Sequence, residues 1–164
     1  MPKIGVLYLI LKIMYNLINK SKRYVMEHYH KILDAAGIRP SVQRVAVYSY
    51  LCEHPIHPTV ETLFAALSPD YPTLSKTTIY NTLKLFEQKN LVRAVKIEDD
   101  KLRYDAEMQP HIHFKCEKCG RVFDVYDDTA LPAFMLKCND LIPTGFTMSK
   151  MQANLWGVCA DCAK

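Results

Sequence analysis

The sequence predicts an α+β protein of two unequal halves: a helix-rich first half closed by a β-hairpin, and a smaller α/β second half closed by paired cysteines. Three observations carry that reading. Apolar residues recur at helical spacing in short, capped runs between residues 27 and 86. The period then shortens to that of strands between residues 91 and 126. Four of the six cysteines fall as Cys116-x-x-Cys119 and Cys159-x-x-Cys162.

Residues 27–36 are helix-forming and stop at Gly37, which suits the residue after a helix. Ser41 can cap a second helix running to Cys52, with Val42, Val45 and Leu51 on its apolar face. The turn 53–58 ends it. Thr59 can cap a third, where Val60, Leu63, Phe64 and Leu67 repeat at i, i+3, i+4 and i+7. The fourth run, 74–86, puts Ile79, Leu83 and Phe86 inside and leaves Ser75, Lys76, Thr77, Tyr80, Asn81 and Lys84 on its first turns and outer face. Leu91–Ile97 alternates like a strand, Glu98-Asp99-Asp100 is a turn, and Leu102–Asp105 returns. Helices followed at once by such a hairpin make the order of a winged helix-turn-helix, with the fourth run as the helix that enters a DNA groove. In that placement Arg44, Lys76 and Lys84 meet phosphates, and Tyr80 and Asn81 sit nearer the bases.

The second half, 106–164, has a different chemistry. Two CxxC pairs in one small unit match the four thiolates of a closed, tetrahedral zinc site, so Cys116, Cys119, Cys159 and Cys162 are the expected structural ligands. His111 and His113 lie two apart, so on a strand both imidazoles project from one face and can share an ion. Asp105 precedes them, and Asp124 stands in the strand 121–126. A nitrogen and oxygen donor set is harder than a thiolate set and suits Fe²⁺ or Mn²⁺. A short helix is expected over 131–137, and a strand or two over 146–151 and 153–158. The exposed edges of so small a sheet predict a homodimer, forming a dimerisation domain. Cys52 and Cys138 are expected to be small buried hydrophobes, and His28, His30 and His54 to be solvated.

Net charge of +4 does not by itself imply a nucleic-acid partner. Residues 1–25 carry five bases and no acid, residues 26–95 seven and six, and residues 96–164 nine and eleven, so DNA affinity must come from a local patch. Residues 1–25 read as an N-terminal extension before the first domain, 26–105; Met26 stands at the head of the first helix, where a start codon would fit. Their apolar run is broken by Lys12 and falls short of the roughly 20 residues of a spanning helix. It also lacks a cleavage site, so the expectation is a cytoplasmic chain without a membrane partner. Two enzyme readings compete. A CxxC redox enzyme would need a thioredoxin-like βαβ setting that neither pair shows, and a metallohydrolase built on His111 and His113 would leave the groove-reading helix unexplained.

Thr78-Ile79-Tyr80-Asn81, Arg103-Tyr104-Asp105, His111-x-His113-Phe114-x-Cys116-x-x-Cys119 and Gly157-Val158-Cys159-x-x-Cys162, in that order, resemble the ferric uptake regulator (Fur) family over residues 28–162. The resemblance implies a dimeric repressor of double-stranded operator DNA, not an enzyme, with structural Zn²⁺ and a regulatory ion between its domains. It adds His57 to Asp105, His111, His113 and Asp124 as regulatory ligands, and Thr78 to the DNA-facing residues. Aspartate at both 105 and 124, with Pro110 and Met151 where further histidines often stand, resembles the peroxide-sensing, PerR-like branch more than the iron-responsive or zinc-responsive ones. In that branch Fe²⁺ would react with peroxide and His57 or His111 would be oxidised, whereas Mn²⁺ would protect.

Overall fold

The computed structural model of the protein describes residues 24–164, so all but the last two residues of the expected extension 1–25 lie outside the described residues. Helix α1, described from residue 24 to 35, gives way to Gly37, whose φ of 71° is the left-handed conformation a helix stop needs. Helices α2 (Val42–Glu53), α3 (Val60–Leu67) and α4 (Lys76–Gln88) follow. Their caps are serine or threonine hydroxyls: Ser41 accepts from the Arg44 amide, Thr59 from Thr62 and Ser75 from Thr78.

These helices close around one core. Leu33, Val47, Leu63, Ile79, Leu83 and Phe86 are fully buried, and Tyr48 meets the Phe86 ring edge-on with centroids 5.4 Å apart. The hairpin β1 (Arg93–Val95) and β2 (Arg103–Asp105) comes next, paired antiparallel with Arg93 opposite Asp105. It is shorter than the alternation 91–97 predicts, since only three residues on each side form ladder bonds.

In the second half, β3 (Ile112–Cys116) lies between β4 (Val122–Val125), antiparallel, and β5 (Asn154–Gly157), parallel, with α5 (Ala130–Asp140) in the crossover. Val95 and Ile97 from the hairpin and Val122 from β4 form a small apolar cluster that ties the two halves. Residues 146–151, expected as a strand, have no regular structure. Their apolar side chains Phe146 and Met148 are exposed, so no core face is there for an alternating strand to bury. Cys52 is exposed and Cys138 half-buried, where burial was expected, because Cys52 ends α2 off its apolar face and α5 buries only Leu131. No helix among the described residues is long and apolar enough to cross a membrane.

Phe86→Ala should lower the stability of the helical core by about 3–5 kcal/mol, as expected when a buried phenylalanine leaves a cavity. Chemical denaturation followed by far-UV circular dichroism checks this.

Candidate metal centres

Two ligand clusters lie on opposite faces of β3. Cys116 ends the strand, fully buried, and the Cys116–Arg121 turn folds back through Gly120 N to Cys116 O (2.8 Å) and Cys116 N to Arg121 O (2.9 Å). That turn brings Cys119 beside Cys116. The second pair is set by a turn in which Cys162 N and Ala163 N both donate to Cys159 O. All four sulfurs lie within 4.8 Å of one another, and Cys119 Sγ is 3.9 Å from Cys159 Sγ. A zinc tetrahedron with bonds of about 2.3 Å has sulfurs about 3.8 Å apart, so the cluster fits that ion.

Two of the thiols, those of Cys116 and Cys119, are already prepared to lose protons. Backbone N–H groups of Cys159 and Cys119 pull Cys116 down to about 6, and hydrogen bonding from Arg121, whose Nε is 3.4 Å from Cys119 Sγ, lowers Cys119. Cys162 is pushed up to about 12, first by its hydrogen bond with Cys159 and then by desolvation and the neighbouring sulfurs. Four thiolates cannot share this volume unless a cation compensates them.

The second cluster joins the two halves. His113 stands directly opposite Asp124 across the β3–β4 ladder, which puts both side chains on one face. His111, two residues earlier, points the same way, its Nε2 only 2.9 Å from His113 Nε2. His57 arrives from the turn between α2 and α3. Its Nε2 is 2.8 Å from Asp124 Oδ1, and its ring lies edge-on to His113 at 4.9 Å. One ligand atom from each of His57, His111, His113 and Asp124 lies within 4.8 Å of all the others. Asp105 sits at the edge of this set, with Oδ2 3.2 Å from His111 Nε2 and 3.7 Å from His113 Nε2.

The atoms converge in ion-pair contacts but without well-formed hydrogen bonds. Both ring nitrogens of His57, Asp105 Oδ2 and Asp124 Oδ1 are buried with no hydrogen-bond partner, which is costly unless something else meets them. His111 Nδ1 is 2.8 Å from the Gln109 carbonyl, so that nitrogen carries a proton and Nε2 faces the cluster. Burial works against ionisation of Asp105, yet the His111 and His113 imidazoles and the Glu107 amide hold its carboxyl well below the usual carboxylate range. Burial likewise opposes charge on Asp124, but His57 outweighs it and lowers that carboxyl too. Burial disfavours a proton on His111; Asp105, the Gln109 carbonyl and Asp124 overcome it and raise its pKa. The cluster therefore demands a positive charge, and three imidazoles with carboxylate oxygens can hold a divalent ion of intermediate hardness.

The expected DNA-facing residues occupy one end and the outer face of α4. Ser75, Lys76, Thr77, Tyr80, Asn81 and Lys84 are exposed. Ser75 and Thr78 hydroxyls are 2.8 Å apart and engaged in the cap, Lys76 lies over the Phe64 ring, and Arg44 donates to Arg39 O at 2.7 Å. Residues to which sequence reasoning gave no role also build the site. Tyr126 lies against the His111 ring at 5.3 Å and donates to Asp124 Oδ2 at 3.4 Å, and Arg103 donates to the His57 carbonyl at 3.1 Å. Arg103 was visible only as part of the Arg103-Tyr104-Asp105 motif; nothing local announces its partners.

The family model of the ferric uptake regulator family matches residues 35–139. The peroxide-responsive repressor PerR of Staphylococcus aureus is 32% identical over 143 residues, covering 87% of this chain and 95% of that protein. Among solved structures, the Campylobacter jejuni peroxide stress regulator is 25% identical with a TM-score of 0.63, covering 83% of this chain and 97% of that one. The Helicobacter pylori ferric uptake regulator, which has three functional metal binding sites, is 18% identical with a TM-score of 0.64, covering 87% and 93%. With the family model spanning most of its length and a relative of that identity aligned nearly end to end, this chain belongs to the ferric uptake regulator family.

Proposed function

We propose that this protein is a repressor that binds operator DNA when a divalent ion occupies the cluster of His57, His111, His113, Asp124 and Asp105, and releases it when peroxide oxidises that cluster. The observation that carries the reading is His57: it belongs to the helical half and meets Asp124 of the sheet half at 2.8 Å. An ion bound there is held by both halves, so its occupancy fixes how residues 26–105, the DNA-binding domain, sit on residues 106–164, the dimerisation domain. Differential binding of the ion to that arrangement is what couples the two events.

Cys116, Cys119, Cys159 and Cys162 hold structural Zn²⁺ in this reading, and the regulatory ion is Fe²⁺ or Mn²⁺. A second copy of the chain covers the apolar surface of the sheet half, where Phe134, Leu136, Leu155 and Trp156 stand exposed. The homodimer then spaces two α4 helices for two half-sites. On each, Lys76, Lys84 and the capped amides approach phosphates, Arg44 supports them, and Thr77, Thr78, Tyr80 and Asn81 face base edges. The protein works in the cytoplasm, where its DNA is, and as a regulator rather than an enzyme.

The peroxide branch is supported by aspartate at 105 and 124 and by the peroxide-responsive name of its relative at 32% identity. A bound ferrous ion would supply one-electron reduction of peroxide next to its ligands. His57 and His111 offer Nε2 into the cluster, and an imidazole that gains an oxygen atom is a poorer ligand. Loss of His57 from the set unfastens the helical half.

His57→Ala should abolish the response of operator affinity to Mn²⁺ while one zinc per chain stays bound; an unchanged response would overturn the reading. After peroxide treatment, the Fe²⁺ form should show the mass of one added oxygen on a peptide containing His57 or His111, and the Mn²⁺ form should not. Cys119→Ser should lose zinc and unfold the sheet half, because structural zinc supplies on the order of 10 kcal/mol of folding free energy; metal analysis and thermal unfolding would reveal it.

A further inference from the structure

The β1–β2 hairpin is fastened to the sheet half by polar contacts that the ligand cluster does not use. Gln152, Asn154 and Trp156 alternate along one chain segment and so share a face. Each donates to a hairpin carbonyl: Gln152 Nε2 to Ala94 O at 2.6 Å, Asn154 Nδ2 to Lys96 O at 3.1 Å, and Trp156 Nε1 to Ile97 O at 3.4 Å. At the end of this ladder the Glu98 carboxylate, its side chain 7% exposed, accepts from Arg103 at 2.7 and 3.2 Å and from Lys115 of β3 at 3.0 Å. Arg103 carries the contact onward. Its Nη1 donates to His57 O at 3.1 Å and its Nη2 reaches Gly120 O, in the cysteine turn, at 3.4 Å.

One guanidinium thus touches the hairpin, the cysteine turn and the backbone of a candidate ligand. That ligand needs holding. His57 has φ of 51°, a left-handed conformation that residues with a Cβ adopt only when their surroundings impose it. Two bonds impose it from β2: Arg103 to His57 O, and Tyr104 N to Pro58 O at 3.0 Å.

We propose that Glu98, Arg103 and Lys115 form a positioning brace that presets His57 and so sets the ion affinity of the interdomain cluster, an inference that rests on reading that cluster as a metal site. The planar fork of arginine suits the task, because it can serve a carboxylate and two carbonyls at once. Lysine at the same position keeps the charge but cannot keep all three contacts. Lys115 meets the same carboxylate oxygen of Glu98 that Arg103 does and binds the brace to β3, the strand of His113.

The zinc-loaded full chain is titrated with Mn²⁺, following free Mn²⁺ by electron paramagnetic resonance and the emission of Trp156. That is the one tryptophan of the chain, and its indole N–H bonds the hairpin. Arg103→Ala should weaken Mn²⁺ binding about 10-fold or more, the scale seen when an outer partner of a metal ligand is removed. Glu98→Gln should weaken it less, and Arg103→Lys should fall between Arg103→Ala and wild type. Zinc content should stay at wild-type level, and Lys101→Ala, altering an exposed lysine 3.6 Å from Glu98, should change nothing. In a His57→Ala background, Arg103→Ala should have no further effect on Mn²⁺ affinity, whereas a general loss of structure would weaken it again.

Should Arg103→Ala fail to fold, Glu98→Gln and Lys115→Met decide the matter by the same comparison. If wild type binds Mn²⁺ in a His57-dependent way and the variants match it within about twofold, the brace is wrong and the metal site stands. If wild type shows no His57-dependent binding, both fall.

Discussion

The structure turns on one buried encounter, that of His57 with Asp124, His111 and His113. In it, imidazole nitrogens and carboxylate oxygens face one another across distances of 2.8 to 3.8 Å. Two carboxylates are buried together here, each kept ionised against desolvation by the imidazoles beside it. The fold tolerates this because the groups are carried by elements already fixed: β3 and β4 by their ladder, and the His57 turn by two bonds from β2, one from the Arg103 side chain and one from the Tyr104 backbone. The cluster is therefore an unmet demand for positive charge, held in place by everything around it.

A single strand links that demand to the zinc site. His113 and Cys116 are three residues apart on β3, an odd spacing that sends their side chains to opposite faces. The cysteine cluster anchors the end of β3 to the end of β5, where Cys159 N donates to Cys116 Sγ at 3.3 Å. A strand that slipped by one residue would turn His113 away from Asp124 and toward the other face. Zinc bound by the four sulfurs would thereby guard the register that the second cluster requires. The two clusters differ in softness as well as in place: four thiolates suit Zn²⁺, while the mixed nitrogen and oxygen set suits harder divalent ions.

What was legible in the sequence was whatever has a local cause. Helices α2 to α4 were visible because their caps and 3.6-residue periodicity are written within a dozen residues, and the sulfur cluster because CxxC spacing is itself the geometry of half a tetrahedron. His111 and His113 declared themselves by their spacing of two. His57 did not: it sits in a turn of prolines with no periodicity, and only family resemblance picked it out. Glu98, Arg103 and Lys115 look like ordinary surface charges until the hairpin folds onto the sheet. The strand expected at 146–151 failed for the complementary reason. Its alternation of Phe146 and Met148 is locally strand-like, but both side chains stand exposed, so no packed layer rewards an extended segment there.

In the proposed reading the brace and the ion act on the same interface, and a useful switch limits the strength of each. A brace that closed the halves completely would make operator binding indifferent to the ion, since a ligand shifts an equilibrium only by its differential affinity for the two states. A chain without any brace would leave His57 to be ordered by the ion itself, and affinity would fall by the fraction of molecules not already competent. Hydrogen bonds from Arg103 and Lys115 more than offset the burial that opposes charge on Glu98 and pull its carboxyl down to about 2. A carboxylate depressed this far contributes its stability above its unfolded value and loses it only as pH falls toward 2, so the brace stays charged throughout the neutral range. An ion held by His57 and the sheet ligands would add to the attraction that the proposed brace supplies between the halves, and that added part is what a signal could remove.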